Sequence, residues 1–228
     1  MTIRRTRHGL RLSQHGVVIS ELRTSPGPTH SVFDVLAALI DSFPTRQRTG
    51  VLGFAGGGMM APLRGLGWDG TFDTVDLDEA SYALFLENCP AWTESVRWHH
   101  ADALDWLHRQ RARFGLLLED LSIPRDGDVT KPDICWNELP GLIRDRLAPG
   151  GVALFNLLTP NSGRWKPELP RLASHFAMVR VIHFDEYDNR ILVAGEILPS
   201  ARELSARLAA RLKKLRSRQF RRISVRST

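Results

Sequence analysis

The sequence has 228 residues, of which 43% are hydrophobic and 25% are charged, the ordinary balance of a globular protein. That length suits one sizeable domain, with or without an appendage. No apolar run approaches about 18 residues, which excludes a membrane-spanning helix, and no apolar segment follows the basic N-terminus as in a signal peptide. Cys89 and Cys135 form neither a disulfide framework nor a zinc motif. These features predict a cytoplasmic protein.

The net charge of +6 is unevenly distributed along the chain. From Arg202 to Thr228 there are ten basic residues and one acidic residue, a local charge of +9. The other 201 residues have 21 basic and 24 acidic side chains, a charge of −3. The basic character therefore belongs to the C-terminal segment and does not bear on the fold of the rest.

The first elements are predicted from alternation and from a helix cap. Residues 9–23 alternate and are rich in β-branched residues, which predicts one or two short strands, with a hairpin around Gly16. After a turn rich in proline and glycine, Ser31 is a plausible N-cap for an amphipathic helix over 32–43. Pro44 is expected to end that helix.

From residue 49 onward, short apolar segments alternate with segments of helical periodicity. Strands are predicted at 49–55, at 71–78, within 96–104, at 114–121 and at 152–158. Helices are predicted from about Met59, at 79–89, at 102–112 and at 135–147. Two final strands, 176–184 and 189–198, are expected to form an antiparallel pair.

This alternation predicts an α/β fold, a Rossmann-like doubly wound sheet that is mostly parallel. It would have a terminal antiparallel strand pair, a small N-terminal β element and a basic C-terminal helix. We expect three segments: a β element over 1–28, a cofactor-binding catalytic domain over 29–199, and a basic amphipathic helix or tail over 200–228.

A loop rich in glycine follows the first strand of the alternating region. Its sequence is VLGFAGGGMM, and it contains Ala55 and the three glycines that follow, Gly56, Gly57 and Gly58. Ligands of open α/β sheets bind beyond the carboxyl ends of the strands, and glycines let a backbone approach a ligand closely. We predict that these four residues bind a cofactor.

Acidic residues end the next strands. Asp76 lies 20 residues after Gly56, a spacing at which a carboxylate can accept from ribose hydroxyls. Asp78, Asp102 and Asp120 also follow strands. Together with the loop they predict a site for an adenosine-type cofactor, although Asp78 and Asp102 also suit the simpler role of helix N-caps.

A dinucleotide site is the alternative reading of the same loop. Gly56, Gly58 and Ala61 satisfy the fingerprint G-x-G-x-x-G/A of dinucleotide-binding proteins such as NAD-dependent enzymes. However, no lysine stands four residues after Tyr82 or Tyr187, so the catalytic pair of short-chain dehydrogenases is missing.

The segment from Val51 to about Leu158 resembles the class I S-adenosylmethionine-dependent methyltransferase superfamily, and within it the spermidine synthase branch. The motifs that carry the resemblance are VLGFAGGGMM, VDLDEA, ADALDWL, FGLLLEDLSIP and LIRDRLAPGGVALFNL. The resemblance extends to about residue 198 and leaves out the basic tail. It implies that Asp76 binds the ribose, that Asp102 and Ala103 lie near the adenine, and that Asp120 is the catalytic carboxylate.

Departures from the spermidine synthase pattern concentrate where an amine would bind. Ala55, Met59 and Met60 stand at glycine positions of that branch, and Ile123 replaces the second carboxylate of the fourth strand. Since a polyamine needs several acids to replace its water, we expect S-adenosylmethionine or its decarboxylated form as cofactor, with methyl transfer favoured over aminopropyl transfer. The same departures also suit a non-catalytic descendant.

Partners are predicted only in outline. We expect a small-molecule acceptor, with Asp120 taking its proton or orienting it. Glu119 is the weaker candidate for that role, and its simpler interpretation is a charge at the sheet edge.

The basic segment 202–228 has a narrow apolar stripe, Leu204, Leu208, Leu212 and Leu215. That stripe suits a helix docked on the body, and the arginines suit contact with nucleic acid or an anionic membrane. The N-terminal strands suit pairing in a homodimer.

Overall fold

A central eight-stranded sheet dominates the computed structural model, which describes residues 2–14, 16–125 and 128–227. Met1 and Thr228, the outer ends of the first and last predicted segments, lie outside the described residues. The strands are β1 Thr2–Thr6, β2 Gly9–Gln14, β3 Val17–Arg23, β4 Arg48–Leu52, β5 Phe72–Asp76, β6 Val96–His100, β7 Phe114–Glu119, β8 Ile123–Arg125, β9 Asp128–Thr130, β10 Leu147–Leu157, β11 Met178–Phe184, β12 Arg190–Gly195 and β13 Ile223–Ser227. The helices are α1 Val32–Ser42, α2 Met60–Leu66, α3 Glu79–Asn88, α4 Ala103–Arg109, α5 Leu139–Arg146, α6 Trp165–Ala173 and α7 Ala201–Lys214.

The strand order confirms the predicted doubly wound sheet. The order is β13-β11-β12-β10-β7-β4-β5-β6, and the five strands from β10 to β6 pair in parallel. Strand order therefore reverses at β4, where the chain runs to β5 on one side and β7 lies on the other. In open α/β sheets a ligand crevice forms at such a point, beyond the carboxyl ends of the strands.

The predicted antiparallel pair at the end of the sheet is also confirmed. β11 and β12 pair antiparallel, and β12 inserts between β11 and β10. Two apolar clusters cover the two faces of the sheet, one on the side of α1, α2 and α7 and the other on the side of α4, α5 and α6.

The N-terminal β element is a separate three-stranded antiparallel sheet. The hairpin predicted around Gly16 joins β2 and β3. β1 escaped prediction because all five of its residues are exposed and show no apolar alternation. Leu12 and Leu22 are buried in the core that they share with α1 and α2. This small sheet is thereby fixed beside the glycine loop.

The C-terminal segment contains a strand in addition to the predicted amphipathic helix. α7 begins with a capping box between Ser200 and Glu203 and buries Leu204, Leu208 and Leu212, in the same cluster as α1. The chain then returns as β13, which pairs antiparallel with β11 at the edge of the sheet. Ile223 and Val225 of this strand, two positions apart, pack against the core. The sequence analysis did not predict the strand because its apolar alternation is short and lies in an arginine-rich segment.

Other elements were not predicted because prolines or brevity obscure them. α6 contains Pro170 within its span, and β8 and β9 are three residues each. Among the described residues, no helix combines the length and apolar character needed to cross a membrane.

Candidate active site

A cavity of about 860 Å³ opens beyond the carboxyl ends of the parallel strands. Residues that follow β4, β5, β6 and β7 line one end of it. The N-terminal hairpin, the start of α1, the turn between β11 and β12, and the 3₁₀ turn Arg218–Arg221 line the other end. Its volume lies within the range of about 300–1,000 Å³ that is typical of small-molecule sites.

The loop contains glycines mainly because neighbouring apolar side chains occupy the space that larger side chains would need. A Cβ on Gly56 would lie 2.3 Å from Leu22 Cδ1, and one on Gly57 would lie 2.6 Å from Phe54 Cζ. A Cβ on Gly58 would meet the ring of Phe33 at 2.9 Å. Gly58 lines the cavity, whereas Gly56 and Gly57 do not. The absence of side chains at Gly56 and Gly57 therefore lets Leu22 of the hairpin and Phe54 of the loop pack closely against the backbone.

The backbone is strained at Ala55, which lines the cavity. Its φ is +45°, in the left-handed region that glycine adopts without cost. A nearby glycine that the sequence analysis did not single out, Gly53, has φ +87°, and a Cβ there would lie 2.6 Å from the Asp120 carbonyl oxygen. Gly53 thus brings β4 and the end of β7 together at the reversal point of the sheet.

Asp76 is the last residue of β5 and ties the loop to that strand. Its Oδ2 accepts from the backbone N–H of Phe54 at 2.7 Å and of Ala55 at 2.6 Å. Its Oδ1 accepts from the backbone N–H of Asp78 at 2.9 Å. An ionised carboxylate offers about four acceptor positions, so one further donor, such as a ribose hydroxyl, can be accommodated.

Asp78 and Asp102 both cap helices and also line the cavity. Asp78 accepts from the backbone N–H of Ser81 at 3.1 Å, at the start of α3. Asp102 Oδ1 accepts from the backbone N–H groups of Leu104 and Asp105, at the start of α4. Ala103 lines the cavity beside Asp102.

Asp120 follows β7 and lines the same cavity. Its Oδ1 accepts from Asn156 Nδ2 at 2.7 Å, a residue of β10 that sequence reasoning missed. Burial raises the pKa of Asp120 to about 7, with a further increase from the charges of Glu119 and Asp76; the charge of Lys131 and the Asn156 hydrogen bond oppose it. A carboxyl group with this pKa can exchange a proton near neutral pH.

Glu119 is not a charge at the sheet edge, as the sequence suggested, but half of a buried ion pair. It is 0% exposed, and its Oε1 accepts from Lys131 Nζ at 2.6 Å, from the Leu121 backbone N–H at 2.8 Å and from Cys135 Sγ at 3.3 Å. Lys131 also donates to the Leu121 carbonyl at 2.7 Å. Burial by itself lowers the pKa of Lys131, but the Glu119 charge and hydrogen bond, together with Cys135 and Asp120, outweigh it, and the net shift is upward. The pair holds the chain on both sides of Asp120.

The far end of the cavity is assembled from segments that are distant in sequence. Its charged and polar side chains are Arg11, Glu21, His30, Tyr187, Asn189 and Arg218. Sequence reasoning missed their proximity because no motif links them. Only the packing of the N-terminal hairpin and the return of the chain as β13 bring them together.

Comparison with solved structures shows which known proteins share this fold. A probable spermidine synthase from Corynebacterium glutamicum ATCC 13032 matches with a TM-score of 0.74 at 19% identity, over 99% of this chain and 86% of that chain. Human methyltransferase-like protein 13, in complex with SAH, matches with a TM-score of 0.62 at 19% identity, over 82% and 92%. The O-methyltransferase TomG from Streptomyces achromogenes, in complex with SAM, matches with a TM-score of 0.52 at 17% identity, over 71% and 78%.

The chain has the fold of the class I methyltransferases and spermidine synthases. The resemblance of its motifs is thus confirmed at the level of the fold. Comparisons with protein-family models and with curated proteins found no match.

Breaking the buried ion pair is expected to be costly. In Lys131→Met, the Glu119 charge loses its partner, and we expect the free energy of unfolding, measured with urea, to fall by about 3–5 kcal/mol. The double variant Glu119→Leu with Lys131→Met should recover most of that loss, because no charge is then left buried. Lys166→Met, on an exposed lysine, is the control. A loss below about 1 kcal/mol in Lys131→Met would contradict the pairing.

The raised pKa of Asp120 predicts a pH dependence of stability with a definite sign. The folded pKa of about 7 exceeds the value of about 3.9 for an unfolded aspartate, so the unfolded chain releases this proton first. Asp120 therefore lowers the free energy of unfolding progressively as the pH rises from about 4 to 7. Asp120→Asn should remove this trend in urea titrations at pH 5 and pH 8, whereas Asp105→Asn, on an exposed aspartate, should retain it. Parallel trends in the wild-type protein and Asp120→Asn would show that Asp120 titrates normally.

Proposed function

We propose that this protein is a transferase that uses a sulfonium nucleoside, S-adenosylmethionine or its decarboxylated form, with methyl transfer to a small acceptor as the favoured reaction. The observation that carries the proposal is the placement of Asp76 beside the glycine loop and Asp120 beyond β7, in one cavity at the reversal point of the sheet. The similarity of the fold to methyltransferases and spermidine synthases supports it.

The cavity suits a nucleoside at the end where Asp76 lies. Asp76 Oδ1 retains an acceptor position for a ribose hydroxyl, since the structure assigns it one donor. Leu77, next in the chain, lines the cavity and is 65% exposed, so its apolar surface is available to cover a flat base. Asp102 and Ala103 line the same region and would lie near the base.

The chemistry divides between the bound nucleoside and Asp120. When bound, the sulfonium nucleoside would supply an activated carbon to the acceptor's lone pair, and its sulfur would leave with the electrons of the broken carbon–sulfur bond. Asp120 Oδ1 is held by Asn156, and we assign Oδ2 to the acceptor's proton. Because its pKa is raised to about 7, Asp120 is a stronger base than an ordinary aspartate. The Glu119–Lys131 pair keeps Asp120 in place.

Methyl transfer is favoured because the acids that a polyamine needs are few. Ile123 lines the cavity where the spermidine synthase pattern has a second carboxylate, and it is 43% exposed. A diamine brought into the cavity would lose water from two ammonium groups. The other acids that line the cavity already accept backbone hydrogen bonds or pair with Arg11, so Asp120 would compensate for little of that cost. Aminopropyl transfer to a polyamine precursor is the alternative.

One observation favours a second candidate, a non-catalytic descendant that keeps the fold with an eroded cofactor loop and serves as a binding or assembly protein. Asp76 already accepts three backbone hydrogen bonds, and Gly56 and Gly57 pack on apolar side chains instead of lining the cavity. A loop of this kind suits structural packing as well as cofactor binding. Titration with the cofactor distinguishes the two candidates.

Calorimetric titration of the wild-type protein with S-adenosylmethionine, its decarboxylated form and NAD tests the proposal. We expect a sulfonium nucleoside to bind and NAD not to bind. In Asp76→Ala, loss of charge-assisted hydrogen bonds should weaken that binding by about 2–4 kcal/mol, which is about 30- to 1,000-fold in Kd. Asp105→Ala, on an exposed aspartate outside the cavity lining, should bind like the wild-type protein.

The other outcomes have definite meanings. Tighter binding of the decarboxylated form would favour aminopropyl transfer. Binding of NAD alone would overturn the proposed cofactor, and the absence of binding by all of them would favour the non-catalytic candidate. Unchanged affinity in Asp76→Ala would show that Asp76 holds the loop but does not contact the ribose.

A further inference from the structure

The far end of the cavity shows what kind of acceptor it can hold. We call this region the acceptor end and define it by its titratable residues, Arg11, Glu21, His30, Tyr187 and Arg218. They come from β2, β3, the turn before α1, the turn between β11 and β12, and the 3₁₀ turn before β13. Some of these charged side chains pair with one of opposite charge, and others do not.

Glu21, the carboxylate of the acceptor end, is already paired. Its Oε1 accepts from Arg11 Nε at 2.9 Å and from Arg11 Nη2 at 2.6 Å. Glu21 is only 8% exposed, and its partner lies on the neighbouring strand of the hairpin. An incoming ammonium group would have to compete with a guanidinium that makes two hydrogen bonds, so Glu21 is a poor site for an amine.

A second carboxylate close by, Asp34, is committed to the turn before α1. It is 0% exposed and accepts from the Thr29 backbone N–H at 2.7 Å, from Thr29 Oγ1 at 2.7 Å and from the His30 backbone N–H at 2.8 Å. It does not line the cavity. Asp34 therefore serves the local fold and cannot contact an acceptor directly.

Arg218 is held at the acceptor end by its neighbours. Its backbone N–H donates to His30 Nδ1 at 3.4 Å, and the buried Gln219 donates from Nε2 to the His30 carbonyl at 3.0 Å. β13, which follows, pairs with β11 and anchors the turn. Within the described part of the chain, the Arg218 side chain makes no ion pair, although it lines the cavity.

The charge of Arg218 is felt by the residues around it. Burial lowers the pKa of His30, and Arg218 and Arg23 lower it further against the opposing charges of Asp34 and Glu21. Arg11 and Glu21 pair with each other. Among the described residues, this leaves the exposed guanidinium of Arg218 without an ion-pair partner at the acceptor end.

We propose that the acceptor carries a carboxylate, which pairs with Arg218 while its nucleophilic atom faces Asp120. This proposal rests on the transferase function proposed above and specifies its substrate class. A guanidinium binds a carboxylate through two parallel hydrogen bonds, which suits Arg218 as an arginine that lines the cavity. A diamine would instead place a second ammonium group near Arg218 and be repelled.

The test compares probes that differ only at one end. An ω-amino acid and a diamine of matched chain length, such as 4-aminobutanoate and 1,4-diaminobutane, are titrated by calorimetry into the full chain, with and without S-adenosylhomocysteine. We expect the wild-type protein to bind the amino acid about 10- to 100-fold more tightly than the diamine. Arg218→Glu should reverse that preference.

Arg221→Glu is the matched control, because Arg221 lies on the same 3₁₀ turn but does not line the cavity. It carries the same change of charge and should retain the wild-type preference. Equal binding of the two probes, a preference for the diamine, or no binding of either would overturn the carboxylate assignment. An unchanged preference in Arg218→Glu would overturn the role of Arg218.

The same titrations separate this proposal from the function on which it rests. S-adenosylhomocysteine is titrated alone first. If it binds and the probes show no preference, the carboxylate assignment fails and the sulfonium transferase remains supported. If neither S-adenosylhomocysteine nor decarboxylated S-adenosylmethionine binds, the proposed cofactor fails, whatever the probes show.

Discussion

The carboxylate of Asp76 is the contact on which the geometry of the cavity depends. It joins the end of β5 to the backbone N–H groups of Phe54 and Ala55 and so fixes a loop in which Ala55 adopts a left-handed conformation. A strained residue of this kind persists only when its surroundings hold it. The other side of the loop is held by Leu22 and Phe33, which occupy the space that side chains at Gly56 and Gly58 would need.

Much of the fold was predictable because its signals are local. Apolar runs alternating with helical periodicity indicated the parallel sheet, and Ser31 was predicted as the cap of α1, where its side chain does accept from the Phe33 backbone N–H. The acids at the strand ends were also predictable, because carboxyl ends of parallel strands meet at one edge. The cofactor roles of Asp76, Asp102 and Asp120 remain proposals.

Features that depend on distant partners were not predictable. β13 is held at the edge of the sheet by its antiparallel pairing with β11. Its basic sequence does not indicate a strand. Glu119 was interpreted as a charge at the sheet edge because its partner, Lys131, lies twelve residues away in an irregular segment. The glycine run indicated a close approach to the backbone, but only the structure shows that Leu22 and Phe54 make part of that approach.

A crystal structure of the protein with S-adenosylhomocysteine would test the proposed role of Asp76. This role predicts the nucleoside in the cavity beyond β4 and β5, with a ribose hydroxyl within hydrogen-bonding distance of Asp76 Oδ1 and the bonds from Phe54 and Ala55 to Oδ2 retained. A nucleoside bound elsewhere, or in the cavity without contact to Asp76, would contradict it.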